Sequence, residues 1–537
     1  MALLDSDMGP VREADGAAAP RWRPRGGQVF RPTRVANPPP RLANLWSETA
    51  ALGLPRRAPE MSAFGPVSRR AGRIGLVALA LAVTLGVLLP GPALALASLA
   101  SCSLFAALIA LRIGAVSFRP QWMRGPDCED QALPTATIMV ALYREAAVLP
   151  QLAASLAAID YPPDRIAFKL VLEADDRATI DTARGLALDD RFEIVIVPPG
   201  EPRTKPRALN YALRLCRSEL VTVHDAEDHP HPDQLRRAAE AFRIADPRLA
   251  CIQAPLNWYN RHETWLTRQF ALEYAAHFHA LLPLYQRLGW PLPLGGTSNH
   301  FRREALLALG GWDAWNVTED ADLGLRLHAA GYHCGLIEPL TEEEAPLRLS
   351  PWVKQRTRWI KGYAQTIAVL LANPRTPWRR VWPGVLVLGG AAVSALLHAP
   401  LSLICLTAFL LNPSSALTGL PALAFMAAGY ASAIACAAVA MRRAGLPLRR
   451  RDLIAMPGYW LLQTLAALRA LRQLIFDPHY WEKTEHGVSA LTGPSCISAS
   501  PRPLSDSPCA SVSSCSPAGG PASLSVRKKA RASSPGR

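Results

Sequence analysis

The sequence predicts a Rossmann-like α/β domain inserted between α-helical membrane segments. Three observations carry this: a charge-poor composition, long apolar runs on both sides of residues 132–375, and short β-rich runs alternating with amphipathic stretches inside them. Of 537 residues, 50% are hydrophobic and 19% charged, against about 25% charged in an average soluble domain. The net charge is +15, of which residues 1–72 and 488–537 supply +10. Most of the rest lies beside apolar runs, in Trp378-Arg379-Arg380, Arg442-Arg443 and Arg449-Arg450-Arg451. Arginine flanking an apolar span is the positive-inside pattern, which argues against a nucleic-acid partner. Ten cysteines without a CxxC pair argue against a disulfide scaffold and a structural zinc site.

Residues 1–72 are rich in Pro, Arg and Ala without a sustained period and read as a disordered basic segment. Met61 precedes Ser68-Arg69-Arg70 and an apolar run, and reads as an alternative start. Residues 73–115 read as a transmembrane hairpin: Ile74 to Leu89, a break at Pro90-Gly91-Pro92, then Ala93 to Ile113. Each arm is close to the roughly 20 residues a bilayer crossing needs. Basic residues at both outer ends put those ends in the cytoplasm.

Within 132–375, strands are expected at Thr135–Leu142, Phe168–Leu172, Ile194–Val197 and Leu220–His224. Helices are expected at Ala146–Ala158, Arg177–Leu188 and Lys205–Cys216. Alternating strands and helices build a parallel sheet, whose ligands bind at the carboxyl ends of the strands. Apolar segments return over 381–475: Pro383–Leu411, as one tilted span or two short ones, then Leu420–Met441 and Leu453–Ile475. The last carries Arg469 and Arg472 on one face and is expected to lie in the interface. Residues 488–537 form a Ser/Pro-rich tail with a basic Arg527-Lys528-Lys529 cluster, expected to be disordered.

Chemistry-bearing residues follow the expected strands. Glu173-Ala174-Asp175-Asp176 ends one strand, where exposed acids can take the base and ribose of a nucleotide. Val221-Thr222-Val223-His224 runs into Asp225-Ala226-Glu227-Asp228. Acids this dense need neutralising, and a hard divalent cation shared with substrate phosphates does so. Asp225 and Glu227 can share one ion, with Asp228 as a spare ligand. His229-Pro230-His231-Pro232 lacks the partners a zinc site needs. Lys205 at a helix start is placed to neutralise a diphosphate. Gly295-Gly296-Thr297-Ser298-Asn299-His300 is a small polar loop suited to a sugar. Asp320, after Thr318-Glu319, opens an amphipathic helix as a cap or a general base. Gln355, Arg358 and Trp359 offer a phosphate partner and a flat face for a sugar ring.

The order of these motifs resembles the family 2 glycosyltransferases, specifically the processive membrane type related to cellulose and hyaluronan synthases, over about residues 74–487. The match rests on Asp175-Asp176, on Asp225-Ala226-Glu227 as the DxD-type motif, on Thr318-Glu319-Asp320, and on Gln355 to Trp359 as QxxRW. The resemblance implies a GT-A catalytic domain in the cytoplasm of a bacterial inner membrane. It implies donor nucleotide contacts from Tyr143, Glu145, Asp175, Asp176 and Lys205, and Mg2+ or Mn2+ on Asp225 and Glu227. Asp320 would be the base, with Glu319, Gln355, Arg358 and Trp359 at the acceptor and pyrophosphate. The implied reaction is an inverting transfer from a nucleotide-diphosphate sugar, usually UDP-linked, to a growing β-linked polysaccharide; single addition to a membrane lipid is the alternative. Tyr480 to Gly487 is similar to a gating loop, with Glu485-His486 in place of Pro-Lys; it implies that Thr484 touches the donor and Gly487 permits movement. No cyclic-dinucleotide sensor is expected after it. The resemblance leaves room for partner secretion subunits.

Overall fold

The computed structural model describes residues 38–65, 83–415, 419–482 and 489, with isolated positions at 73, 77, 80 and 81. The first arm of the expected hairpin lies partly outside these residues. Thr484, Gly487 and the expected tail beyond 489 lie outside them altogether.

The chain opens with α1 (Pro40–Arg57), a 3-10 turn at Pro59–Met61, and α2 (Pro90–Ser117). The α/β domain begins with β1 (Ala136–Leu142), α3 (Leu149–Ala157), β2 (Ile166–Glu173), α4 (Arg177–Gly185), β3 (Phe192–Val197), α5 (Lys205–Leu213) and β4 (Leu220–His224). It continues through β5 (His229–Pro230), α6 (Gln234–Ile244), β6 (Leu249–Gln253), β7 (Leu256–Trp258), α7 (Trp265–Ala276), a π turn at His277–Leu281 and α8 (Leu282–Arg287). Then come β8 (Asn299–Arg302), α9 (Arg303–Ala308), α10 (Glu319–Ala329), β9 (His333–Leu336), β10 (Thr341–Glu343) and α11 (Leu349–Ala372). The chain goes on through α12 (Trp378–Gly384), a π turn at Val385–Gly389, α13 (Gly390–Leu411), α14 (Leu420–Arg443) and α15 (Arg450–Phe476).

Seven strands form one sheet in the order β3-β2-β1-β4-β8-β6-β9, and β5-β10-β7 form a second. β1 lies parallel to both β2 and β4. β2 and β4 are buried along their whole length and β1 at all but one position, which is why they read as near-continuous apolar runs. At the sheet edge, β3 alternates half-buried and buried residues. The chain steps outward from β1 to β3, then returns to β4 on the far side of β1. That reversal opens a crevice at the carboxyl ends of β1 and β4, the position where open α/β sheets bind ligands. β8 runs antiparallel to β4, and Ser298 N donates to Val223 O (2.8 Å), laying the 295–298 loop beside Asp225.

The expectation that residues 1–72 lack fixed structure does not hold for α1. Its own helix signal is weak: Pro55 lies inside it and no acidic residue occupies the first turn. Packing holds it instead. Ala50, Ala51 and Leu54 are buried, and Trp46 meets Tyr211 of α5 edge-on at 6.3 Å. Asn210 Nδ2 donates to Ala50 O (3.1 Å) and Arg207 Nη1 to Ser47 Oγ (2.8 Å). These contacts precede Met61, so the segment before it is part of the α/β fold.

Among the described residues three helical stretches are long and apolar enough to cross a membrane: Pro90–Ser117, Trp378–Leu411 and Leu420–Arg443, with mean hydropathy 2.3, 2.0 and 1.9. The second is a single helical run of 34 residues, continuous over the segment expected as one tilted span or two short ones. Near Pro400 it is serviced by α15: Thr464 Oγ1 donates to Ala395 O (2.8 Å) and accepts from Ala399 N (3.4 Å). α15 is not among these three stretches. Arg450, Arg451 and Asp452 open it, and Arg469 holds Glu482 through 2.6 and 3.0 Å bonds.

Candidate active site

The crevice opens into one cavity of about 940 Å³. Its catalytic end is lined by Tyr143, Glu145, Lys205, Asp225, Glu227, Glu319, Asp320, Gln355, Arg358 and Trp359. Ten of the residues singled out in the sequence thus converge from five different elements.

Lys205 is the first residue of α5. Its ammonium donates to Asp225 Oδ1 and to Gly296 O (2.8 Å for the latter). Burial alone would lower the Lys205 pKa, but Asp225 and Glu319 outweigh it and raise it. Burial pushes Asp225 up to about 6; Lys205 pulls the other way, and Glu227 and Asp228 add to the rise.

The acid at the fourth position of the Asp225-Ala226-Glu227-Asp228 run does a different job from those at the first and third. Asp228 is buried, and its Oδ2 accepts from Asp225 N (2.8 Å) and from the Thr297 hydroxyl. Its carboxylate pins the turn, while Asp225 and Glu227 face the cavity. Two hard carboxylates side by side, without His or Cys, suit Mg2+ or Mn2+ rather than zinc. Among the described residues no cluster of three or more His, Cys, Asp or Glu is arranged as a metal cage.

Asp320 stands in the first turn of α10 and its Oδ1 accepts from Ala321 N (2.7 Å). Burial raises its pKa, and burial with the Asp320 charge pushes Glu319 up to about 8. Glu319 is 4% exposed and Asp320 half-buried, and both line the cavity. Gly296 brings the three charges together. A Cβ there would lie 3.2 Å from Asp320 Oδ2, 3.7 Å from Asp225 Oδ2 and 3.9 Å from Lys205 Nζ.

Gln355, Arg358 and Trp359 project from α11 at i, i+3 and i+4, which puts them on one face. α11 comes close to α10 because position 362 is glycine: a Cβ would sit 2.2 Å from Thr318 Oγ1. Among the described residues nothing donates to the buried Gln355 Oε1. Trp359 stacks at 6.0 Å on Tyr274, and the Arg358 guanidinium lies 4.6 Å from the Trp481 ring centroid.

Asp175 and Asp176 do not line the cavity. Asp176 caps α4 by accepting from Thr179 N (3.3 Å), and it also accepts from Arg144 N. Its acid satisfies a helix start rather than facing the crevice. Asp175 pairs with Arg203 (2.9 Å), which also donates to Tyr143 Oη (2.8 Å).

Two participants, Glu343 and Arg356, were given no role by the sequence, and a third, Glu173, was expected there as an exposed acid at the nucleotide. Glu343, at the end of β10, lines the cavity; burial raises its pKa, and Asp228, Glu227 and Asp225 add to the rise. Its Glu342-Glu343-Glu344 run looks like a solvated surface. Glu173 lines the cavity and accepts from Arg207 (2.6 Å). Arg356, one residue past Gln355, binds Glu273 through two 2.6 Å bonds and packs 4.6 Å from the Trp359 centroid, fixing that ring.

Residues 220–439 match the family described as glycosyl transferase family group 2. The chain is 30% identical over 246 residues to the beta-monoglucosyldiacylglycerol synthase of Synechocystis sp., covering 44% of this chain and 49% of that protein. It is 25% identical over 256 residues to glucomannan 4-beta-mannosyltransferase 7 of Arabidopsis thaliana, covering 45% of each. It is 27% identical over 221 residues to cellulose synthase 2 of Novacetimonas hansenii, covering 40% of this chain and 13% of that one. The chain spans about half the length of the first curated relatives it matches. Among solved structures it is similar to a mannosyltransferase from Pyrobaculum calidifontis in complex with GDP-Man and Mn2+, at 22% identity and a TM-score of 0.44, covering 70% of this chain and 99% of that one. Residues 220–439, less than half of the chain, are thus similar to glycosyl transferase family group 2, and they include part of the seven-stranded α/β sheet.

Proposed function

We propose that the protein transfers a sugar, with inversion, from a nucleotide-diphosphate sugar, UDP-linked, to a growing β-linked polysaccharide that leaves through the space between its own membrane helices. One observation carries this reading: the cavity that holds Asp320 continues without a break to α2, α13, α14 and α15. Its wall there is amphipathic. Tyr430 and Trp460 stack at 5.6 Å, and Ser402 and His398 bond to the Tyr430 hydroxyl at 3.2 and 2.9 Å. Aromatic faces and hydroxyls suit a sugar chain, while an acyl chain needs neither.

In the reaction, Asp320 takes the proton of the acceptor hydroxyl as its oxygen attacks the anomeric carbon. The bond from that carbon to the diphosphate breaks, and the electron pair leaves on the phosphate oxygen. Lys205 and Arg358 stabilise that developing charge. A divalent ion on Asp225 and Glu227 would supply Lewis-acid stabilisation of the same oxygens. Gln355 and Trp359 hold the acceptor, and Tyr143, Glu145 and Arg203 the nucleoside end. The catalytic domain is assigned to the cytoplasmic side of a bacterial inner membrane, with several spans, and secretion subunits are candidate partners.

Addition of one sugar to a membrane lipid is the second reading. The apolar stretch of the cavity wall, including Leu94, Phe105, Ile404 and Phe425, favours it. Membranes holding the protein, given Mn2+ or Mg2+ and a panel of radiolabelled nucleotide sugars, decide between them. High-molecular-weight, glycosidase-sensitive material lost in Asp320→Asn is expected. A single organic-extractable glycoside would establish the lipid transferase instead.

A further inference from the structure

Arg112 is the one charged residue in the 28-residue helix α2. It faces the same cavity beyond the catalytic groups. Among the described residues no hydrogen bond or ion pair reaches its guanidinium. The ionisable groups within electrostatic reach are Cys436, Tyr285 and His398, none of them an anion at neutral pH. The cavity acid Glu273 is taken by Arg356. Arg443, at the end of α14, shows the ordinary alternative: it is satisfied by the carbonyls of Ala115, Val116, Phe118 and His279. Arg112 has no such set.

A lone guanidinium inside an apolar helix is costly, and such residues face partners or polar paths. The level of Arg112 indicates the partner. At 1.5 Å per residue α2 is about 42 Å long, against a hydrocarbon core of about 30 Å. Arg112 lies five residues from the Ser117 end, about 7 Å along the axis, where the core gives way to headgroups. Arginine's planar fork matches the oxygens of a phosphate two at a time.

We propose that Arg112 binds the phosphate of a membrane lipid whose headgroup enters the cavity between α2 and α14. His398, Tyr430 and Ser402, already linked to one another, supply hydroxyl and imidazole groups farther along the same wall. The site goes beyond the proposed transfer: it depends on the cavity and the uncompensated charge, and holds whether the sugar acceptor is a polymer or a lipid.

The test uses the full chain, delipidated in neutral detergent, with phosphatidylglycerol added and bound lipid counted by native mass spectrometry. Diacylglycerol is the phosphate-free control and inorganic phosphate the competitor. The wild type is expected to retain one phosphatidylglycerol. Arg112→Gln should lower that retention at least tenfold, and Arg112→Lys, which keeps the charge without the fork, should be intermediate. Diacylglycerol retention should be the same in all three. Wild-type retention of phosphatidylglycerol by both variants overturns the proposal. So does its complete displacement by inorganic phosphate, which would make this a free-anion site, and so does an Arg112→Gln protein whose sole defect is release of an acidic sugar polymer.

Discussion

At the scale of single residues, the site depends on how closely three charges approach over Gly296. Gly296→Ala puts a methyl group 3.2 Å from Asp320 Oδ2, so the carboxylate must give way by a few tenths of an ångström. Since catalysis is sensitive to misplacement on this scale, turnover should fall about tenfold while donor KM and expression stay near wild type; unchanged turnover would show that Asp320 does not need this approach. Asp320→Asn removes the base and should cost about 100-fold or more in transfer, with donor binding by calorimetry retained. The Asp-Ala-Glu-Asp run separates by function in the same way. Glu227→Gln should raise the Mn2+ concentration needed for half-maximal rate. Asp228→Asn instead leaves Asp225 N–H and the Thr297 hydroxyl with a poorer acceptor, and should cost about 1–3 kcal/mol of stability, seen as a lower thermal midpoint. If Asp228→Asn shifts the Mn2+ titration as far as Glu227→Gln does, the assignment of ligand and turn-holder is wrong. The spacing of these acids was legible in the sequence. Which acid faces in was not, because that depends on Thr297 arriving from a loop some seventy residues away.

At the scale of elements, two segments outside the sheet hold the site in place. α1 braces α5, whose first residue is Lys205, through Leu54, Ser47 and Ala50. Leu54→Ala should destabilise the protein by about 2–5 kcal/mol and raise donor KM, measured by thermal unfolding and by initial rates. The second brace is Lys361 of α11, whose ammonium donates to Tyr480 O (2.8 Å) and Asp477 O (3.3 Å), with Gln365 on Pro478 O (2.8 Å). These bonds bring Trp481 under Arg358. Burial lowers Lys361 to about 8 from its usual 10.5, against Glu482 and Asp477, which raise it. Between those two values the unfolded chain binds the extra proton and the folded one does not, so this lysine adds stability as pH rises through that window. The thermal midpoint of Lys361→Met should lack that rise relative to wild type between pH 8 and 10; an identical pH profile would contradict the buried placement. Strands β1 to β4 were readable because their burial imposes apolar, β-branched runs. α1 was not readable, because its stability comes from tertiary contacts and its sequence carries prolines and no acidic first turn.

At the scale of the whole molecule, the catalytic crevice and the helices long enough to cross a membrane share one cavity. The apolar spans and the order of the motifs were legible from sequence, since length and hydropathy report them directly. That the two regions are joined was not, because the joining residues are scattered over α2, α13, α14 and α15 without a shared spacing. Gly429 of α14 lines this space far from the carboxylates, and a Cβ there meets nothing nearer than Ile109 Cδ1 at 4.0 Å. Gly429→Trp therefore fills the passage without touching Lys205, Asp225 or Asp320. The most direct measurement is its rate of sugar transfer to product beside its rate of donor hydrolysis to water. The account predicts that transfer, or the length of the product, collapses while hydrolysis continues at the wild-type rate. Transfer at the wild-type rate to product of wild-type length would contradict it, and would mean that the acceptor reaches Asp320 by another route.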